Sequence, residues 1–340
     1  MNIKKTFLSL VLFICVGCNN LVSGTSYSSA KQLPFPTERG YSRINLIDDQ
    51  IVVFDREGGR LYYSIENNEQ FEQIPDKRMD FCPDDDFYKF LSYSPFVTVL
   101  PDQRIGIIGA CFHNVDYMFA YDIETGKMEK IVEEQLLVPA NNFSWNPTMT
   151  MGVQDSYTQL DGTIFWLNSE EASAMDITLS DGNRSWSLAM DFPKIVGDGR
   201  QGIAAYPVWS PDGKQIAFFA TFDSIGKSGF SILDSEYAIY TMDSDTLVPT
   251  QILNGIYTDY AITLAWSPDG EYISFTGKYG FPKQYGLWVL NLESKNVYFI
   301  DNNITGSVWR NDDESIIGIK CIGNSCEKQE VWEYWLKELK

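Results

Sequence analysis

The sequence predicts an all-β chain folded as a six-bladed β-propeller of four-stranded antiparallel blades. An internal repeat, a recurring acidic turn and a strand-forming composition predict it. The repeat is sharpest in two segments, Val208 to Phe218 (VWSPDGKQIAF) and Ala265 to Phe275 (AWSPDGEYISF). A third, Val308 to Gly318 (VWRNDDESIIG), keeps Trp309 and Asp312 but not the Pro and Gly. Self-similarity of this kind is the signature of a repeat architecture. Aromatic residues make up 14% of the chain, which favours pleated strands.

Each position of the repeat has a mechanical reason. Pro211 and Pro268 preset φ for the first turn position, Asp212 and Asp269 can bond the nearby backbone, and Gly213 and Gly270 accept the positive φ that closes the turn. The residues that follow alternate apolar and polar, as a half-buried strand does. Trp209, Trp266 and Trp309, just before the turn, supply large apolar surfaces for packing one sheet on the next. These residues resemble the repeat of the TolB-type, WD-repeat-like propeller family. The resemblance implies a TolB-like propeller of the cell envelope.

Weaker copies lie upstream at Asp48 (DDQIVV), Pro101 (PDQRIGI) and Asp161 (DGTIFW). With the acid as marker, Asp48, Asp102, Asp161, Asp212, Asp269 and Asp312 are separated by 54, 59, 51, 57 and 43 residues, periods that suit four-stranded blades. Downstream of the markers, aromatic strands end in polar turns at 122–127, 243–245 and 291–294. These read as hairpins between third and fourth strands.

After Asp312, the chain supplies a second strand (Ser315 to Lys320) and a third (Glu330 to Leu336), so the last blade lacks one. Residues Leu33 to Arg39 are expected to add it as an outer strand, since Pro34 and Pro36 are tolerable only at an edge. Closure in this way makes residues 33–340 one domain.

At the N-terminus, Lys4 and Lys5 precede the apolar run Phe7 to Val16 and then Gly17 and Cys18. The run is too short for a membrane span and has the layout of a secretory signal. Gly17 and Cys18 resemble the lipobox of bacterial lipoproteins. That resemblance implies a signal peptide at 1–17 and acyl chains, palmitate among them, on Cys18; a soluble export signal is the alternative. Residues 18–32, rich in Asn, Ser, Gly and Thr, are expected to be a flexible tether to a periplasm-facing outer membrane or the cell surface.

Cys15 would leave with the signal and Cys18 would carry lipid, which leaves Cys82, Cys111, Cys321 and Cys326. An even count in an oxidising compartment reads as two disulfides, with three pairings allowed. Cys321 with Cys326 is expected, because only Ile-Gly-Asn-Ser separates them, and Cys82 with Cys111 follows by elimination. Removal of Lys4 and Lys5 leaves 24 basic against 46 acidic residues, a net charge of −22. Such a surface repels phosphate backbones, so nucleic acid is not an expected partner.

Chemistry-bearing constellations are sparse. His113 is the only histidine, and no Gly-x-Ser-x-Gly elbow is present. Gly226-Lys227-Ser228 resembles the tail of a phosphate loop, but Thr221 stands where its first Gly belongs. Asp80, Asp84, Asp85 and Asp86 crowd around Cys82, and clustered carboxylates are what Ca²⁺ requires, although their spacing matches no calcium loop. Asp243 and Asp245 are a weaker pair of the same kind. Trp145 and Trp186, unlike the repeat tryptophans, stay open between packing and sugar stacking.

The expected function is therefore that of a non-catalytic module, without cofactor or metal, that presents loops to an envelope protein, peptide or glycan. The alternative is a carbohydrate-active enzyme, a glycosidase or lyase, with paired carboxylates at the propeller funnel. The repeats also resemble the oligogalacturonate lyase group, whose manganese site uses several histidines; His113 alone does not match it.

Overall fold

The computed structural model describes residues 27–35, 41–47, 50–55, 60–65, 70–74, 96–111, 115–130, 143–148, 152–157, 175–180, 185–187, 203–221, 236–257, 263–312, 314–323, 326 and 328–336. Among them every regular element is a strand. β1 (Ser29–Leu33) is followed by β2 (Tyr41–Ile47), β3 (Gln50–Asp55), β4 (Arg60–Ile65) and β5 (Gln70–Gln73), and the last four form one sheet in chain order. The next sheet holds β6 (Phe96–Val99), β7 (Ile105–Cys111), β8 (Val115–Tyr121) and β9 (Met128–Lys130). A third holds β10 (Phe143–Trp145), β11 (Gly152–Tyr157), β12 (Met175–Ser180) and β13 (Ser185–Ser187).

β14 (Ile203–Trp209), β15 (Gln215–Thr221), β16 (Glu236–Asp243) and β17 (Pro249–Tyr257) pair in order. So do β18 (Leu264–Trp266), β19 (Tyr272–Tyr279), β20 (Gln284–Asn291) and β21 (Val297–Asn302). One pair, Tyr257 with Lys278, joins these two sets into an eight-stranded sheet. The last sheet runs β22 (Ile304–Trp309), β23 (Ser315–Ile322), β24 (Lys328–Trp335) and then β1 at its edge. All pairings are antiparallel.

The architecture is all-β and propeller-like. The first strands β2, β6, β10, β14, β18 and β22 touch one another in that order, and β22 touches β2. Apolar layers fill the spaces between neighbouring sheets. Phe219, Ile239, Ile273, Phe275 and Trp288 share one layer, whereas Leu33, Ile51, Val53, Ile317, Ile319 and Val331 join the first and last sheets. Burial against a neighbour on both sides explains why β19 is buried at every position but Lys278, Ser274 and Thr276 included, while β17 is mostly part-exposed.

Two expectations need correction. The strand that completes the last sheet is Ser29–Leu33, with Ser29 opposite Trp335 and Leu33 opposite Val331, and it ends where the expected Leu33 to Arg39 strand would begin. Pro34 has no N–H to give to a ladder, and the Phe35 N–H turns back to the Leu33 carbonyl at 2.8 Å. Residues 29–32 therefore belong to the fold and not to the tether. In the third sheet, the turn between first and second strands follows Trp145 and contains Asn146 and Pro147, whereas Asp161 falls between β11 and β12, outside the described residues. An Asp-Gly pair before apolar residues marks a turn, but it does not say which one.

Candidate interaction face

The first-to-second and third-to-fourth strand turns gather at one end of the sheets. In the turn after β14, the Ser210 hydroxyl donates to Asp212 Oδ1 at 2.8 Å and accepts from the Gln215 N–H at 2.9 Å, and Asp212 Oδ1 also accepts from the Lys214 N–H at 3.0 Å. The turn after β18 repeats this with Ser267, Asp269, Glu271 and Tyr272 at 2.6, 3.0 and 2.9 Å. Gly213 and Gly270 sit at φ of +71° and +76°, and Gln103 holds the matching place in the turn after β6 at +63°. After β22, Arg310 stands where the serine belongs. Its guanidinium instead donates to Glu333 at 2.9 Å, and the Ser315 hydroxyl donates to the same oxygen at 3.0 Å.

The third-to-fourth turns are held in the same manner, by Asp122 receiving the Thr125 N–H (2.9 Å), Asp243 receiving the Thr246 N–H (2.8 Å) and Asn291 receiving the Ser294 N–H (2.7 Å). The two kinds of turn are tied together: Ser244 N–H donates to the Lys214 carbonyl at 2.8 Å and Leu292 N–H to that of Glu271 at 2.9 Å. Backbone N–H donors hold the carboxyls of Asp212, Asp122 and Asp243 below the usual aspartate range. No turn on this face between described strands is longer than the six residues of 122–127 and 146–151.

The opposite face is built differently. Here second strands end and third strands begin, and here each sheet hands the chain on to the next; up to 22 residues of sequence, at 74–95, separate such strand ends. Among its described residues, Phe281 is 97% exposed at the tip between β19 and β20. Beside it, the Lys283 ammonium lies 3.0 Å from the centre of the Tyr257 ring, whose hydroxyl donates to Glu236 at 2.7 Å. A disulfide joins Cys321 to Cys326 across the tip between β23 and β24, with Cα atoms 4.7 Å apart. Asn303, which alone links β21 to β22, accepts from the Cys321 N–H at 2.8 Å. Nearby, Asp301 receives the Lys320 ammonium at 2.6 Å and the Tyr334 hydroxyl at 2.8 Å. Burial, then the Asp301 carboxylate, pushes the Tyr334 phenol far above its usual range, so it stays a donor.

The repeat tryptophans Trp209, Trp266 and Trp309 are buried, and the Trp266 indole N–H reaches the Val208 carbonyl of the preceding sheet at 3.1 Å. Trp145 ends β10 as those residues end β14, β18 and β22. The Trp-x-Pro spacing at 145–147 was the signal that could have placed it. Cys111 ends β7, and Trp186 lies in β13. Cys18, Cys82, Asp80, Asp84, Asp85, Asp86, His113 and Gly226 to Ser228 lie outside the described residues. Among the described residues no group of three or more His, Cys, Asp or Glu side chains is placed to hold a metal.

No protein-family model matches the sequence, and no curated protein does. Solved structures do match. TolB from Acinetobacter baumannii superposes with a TM-score of 0.52 at 14% identity; the match covers 85% of this chain but only 65% of that one. The fold is shared with TolB. An oligogalacturonate lyase in complex with manganese gives 0.54 at 12% identity over 94% of this chain and 97% of that one. The oligogalacturonate lyase of Vibrio parahaemolyticus gives 0.53 at 12% identity, over 92% and 96%. The expectation that this chain is not an enzyme is corrected by these matches: the same fold is carried by lyases, so the architecture is no argument against catalysis.

Proposed function

We propose that the chain is an exported lipoprotein, held to a membrane by lipid on Cys18, whose six four-stranded blades close into one ring and bind an envelope protein, peptide or glycan on the long-connection face. The observation that carries this reading is the difference between the two faces. One is stitched by short self-bonded turns, whereas at the other the strand ends are separated by up to 22 residues of sequence and Phe281 is exposed. Binding residues concentrate on loops positioned by a rigid scaffold, and long connections are the usual recognition elements. Ring closure is supported by the contact of β22 with β2 and by β1 completing the last sheet. Export is supported by the signal-like start and by the Cys321–Cys326 disulfide, a bond that persists in oxidising compartments.

The test is affinity capture of the mature, lipid-bearing protein from envelope extracts, together with a glycan panel assayed for both binding and turnover. A ligand whose binding is weakened at least several-fold by Phe281→Ala or Lys283→Ala, and not by Glu293→Ala on the short-turn face, supports the reading. A ligand sensitive only to the short-turn face overturns it. Turnover of a glycan would assign the carbohydrate-active reading to the same face.

A further inference from the structure

We infer that the anchored protein stands on its short-turn face, with the long-connection face turned away from the membrane that holds its lipid. The inference rests on the lipid-anchor reading and on the register of β1. Ser29 is opposite Trp335, which is in turn opposite Ser315, the residue that follows the acidic turn of the last sheet. Leu33 is opposite Val331, nearer the tip that carries the Cys321–Cys326 bond. The start of β1 therefore lies at the short-turn end of the sheet. The exit is pinned there, because the Ser28 N–H donates to the Trp335 carbonyl at 2.9 Å and the Tyr27 ring meets Tyr334 edge-on at 5.4 Å.

Parallel packing of the first strands puts that end of the last sheet on the same face as the other short turns. The Trp266 indole bonds the Val208 carbonyl, and the Trp209 N–H bonds the Ser144 hydroxyl at 3.2 Å, so turn-side ends lie beside turn-side ends. Ser28 lies ten residue steps beyond Cys18. A chain of that length reaches about 35 Å at full extension, and a coil of such composition spans about 18 Å on average. The two faces stand roughly 25 Å apart along strands of seven to eight residues. Inversion of the body would thus hold the connection at about 1.4 times its average span, whereas standing on the short turns demands no extension. A ligand of the long-connection face then arrives from the aqueous side and not from the anchoring bilayer.

The test uses the full lipidated protein in vesicles that contain an acceptor-labelled lipid. A donor dye is attached through a bio-orthogonal residue at position 293, on the short-turn face, or at 281, on the other; both sites are exposed. A second pair at 245 and 322 guards against a local effect of either substitution. Flotation that depends on Cys18, with transfer from 293 and 245 roughly twofold or more above that from 281 and 322, is expected for a ~25 Å height difference. Cys18-dependent flotation with equal or reversed transfer overturns the orientation and leaves the anchor intact. Flotation unchanged by Cys18→Ser, or none at all, overturns the anchor reading and the orientation with it.

Discussion

At Asp212 one carboxylate oxygen closes a turn by accepting from both a hydroxyl and a backbone N–H. Because its folded pKa lies below the unfolded value near 3.9, its contribution is fully present above that value and is lost as pH falls through the folded pKa. Asp122 and Asp243 act with the same sign. Chemical denaturation from pH 6 downwards should therefore show stability falling below about pH 4, and Asp212→Asn, which keeps an acceptor but no charge, should flatten that limb. The glycines after these aspartates separate two effects. Gly270→Ala adds a Cβ that meets nothing within 4 Å, so only the left-handed backbone resists it, at about 1 kcal/mol. Gly213→Ala adds a Cβ 2.9 Å from the Pro147 ring of the neighbouring sheet and should cost more than Gly270→Ala in the same denaturant titration.

Between elements, sheets are held by apolar layers and by a few polar ties. Tyr334 on β24 is buried and its hydroxyl donates a hydrogen bond to Asp301 on β21, which also holds Lys320 of β23. Tyr334→Phe removes a hydrogen bond to a charged group and should cost about 2 kcal/mol in unfolding free energy, with little change in volume. Much at this scale was legible beforehand. The hairpins around 122–127, 243–245 and 291–294 and the strand after each Trp-Ser-Pro-Asp-Gly fall where periodicity and turn chemistry put them. The third sheet was not, because Asn146-Pro147-Thr148 carries no acid and the nearby Asp161-Gly162 imitates the marker. The polar ties were illegible for another reason. Asp301, Lys320 and Tyr334 lie on three strands, and only their pairing brings them together. The long connections have no period to read, so the sequence flagged residues within them but not the end of the sheets at which their flanking strands finish.

For the whole molecule, the decisive junction is the one between the two ends of the chain. β1 covers an edge of β24 that would otherwise present unpaired backbone groups, and Leu33 sits in the apolar layer with Val331, Ile317, Ile44 and Val53. Leu33→Ala should cost about 3 kcal/mol, as for other buried leucines that leave a cavity. Deletion of residues 1–33 goes further, because it removes the strand as well as the side chain. Since an exposed strand edge is a template for pairing with another chain, the shortened protein should unfold at lower denaturant and self-associate with rising concentration in sedimentation runs. A peptide spanning 27–35, added in excess, should pair with β24 as β1 does and restore the monomer. If the shortened chain stays monomeric and as stable as the full one, β1 is not what protects the edge of β24.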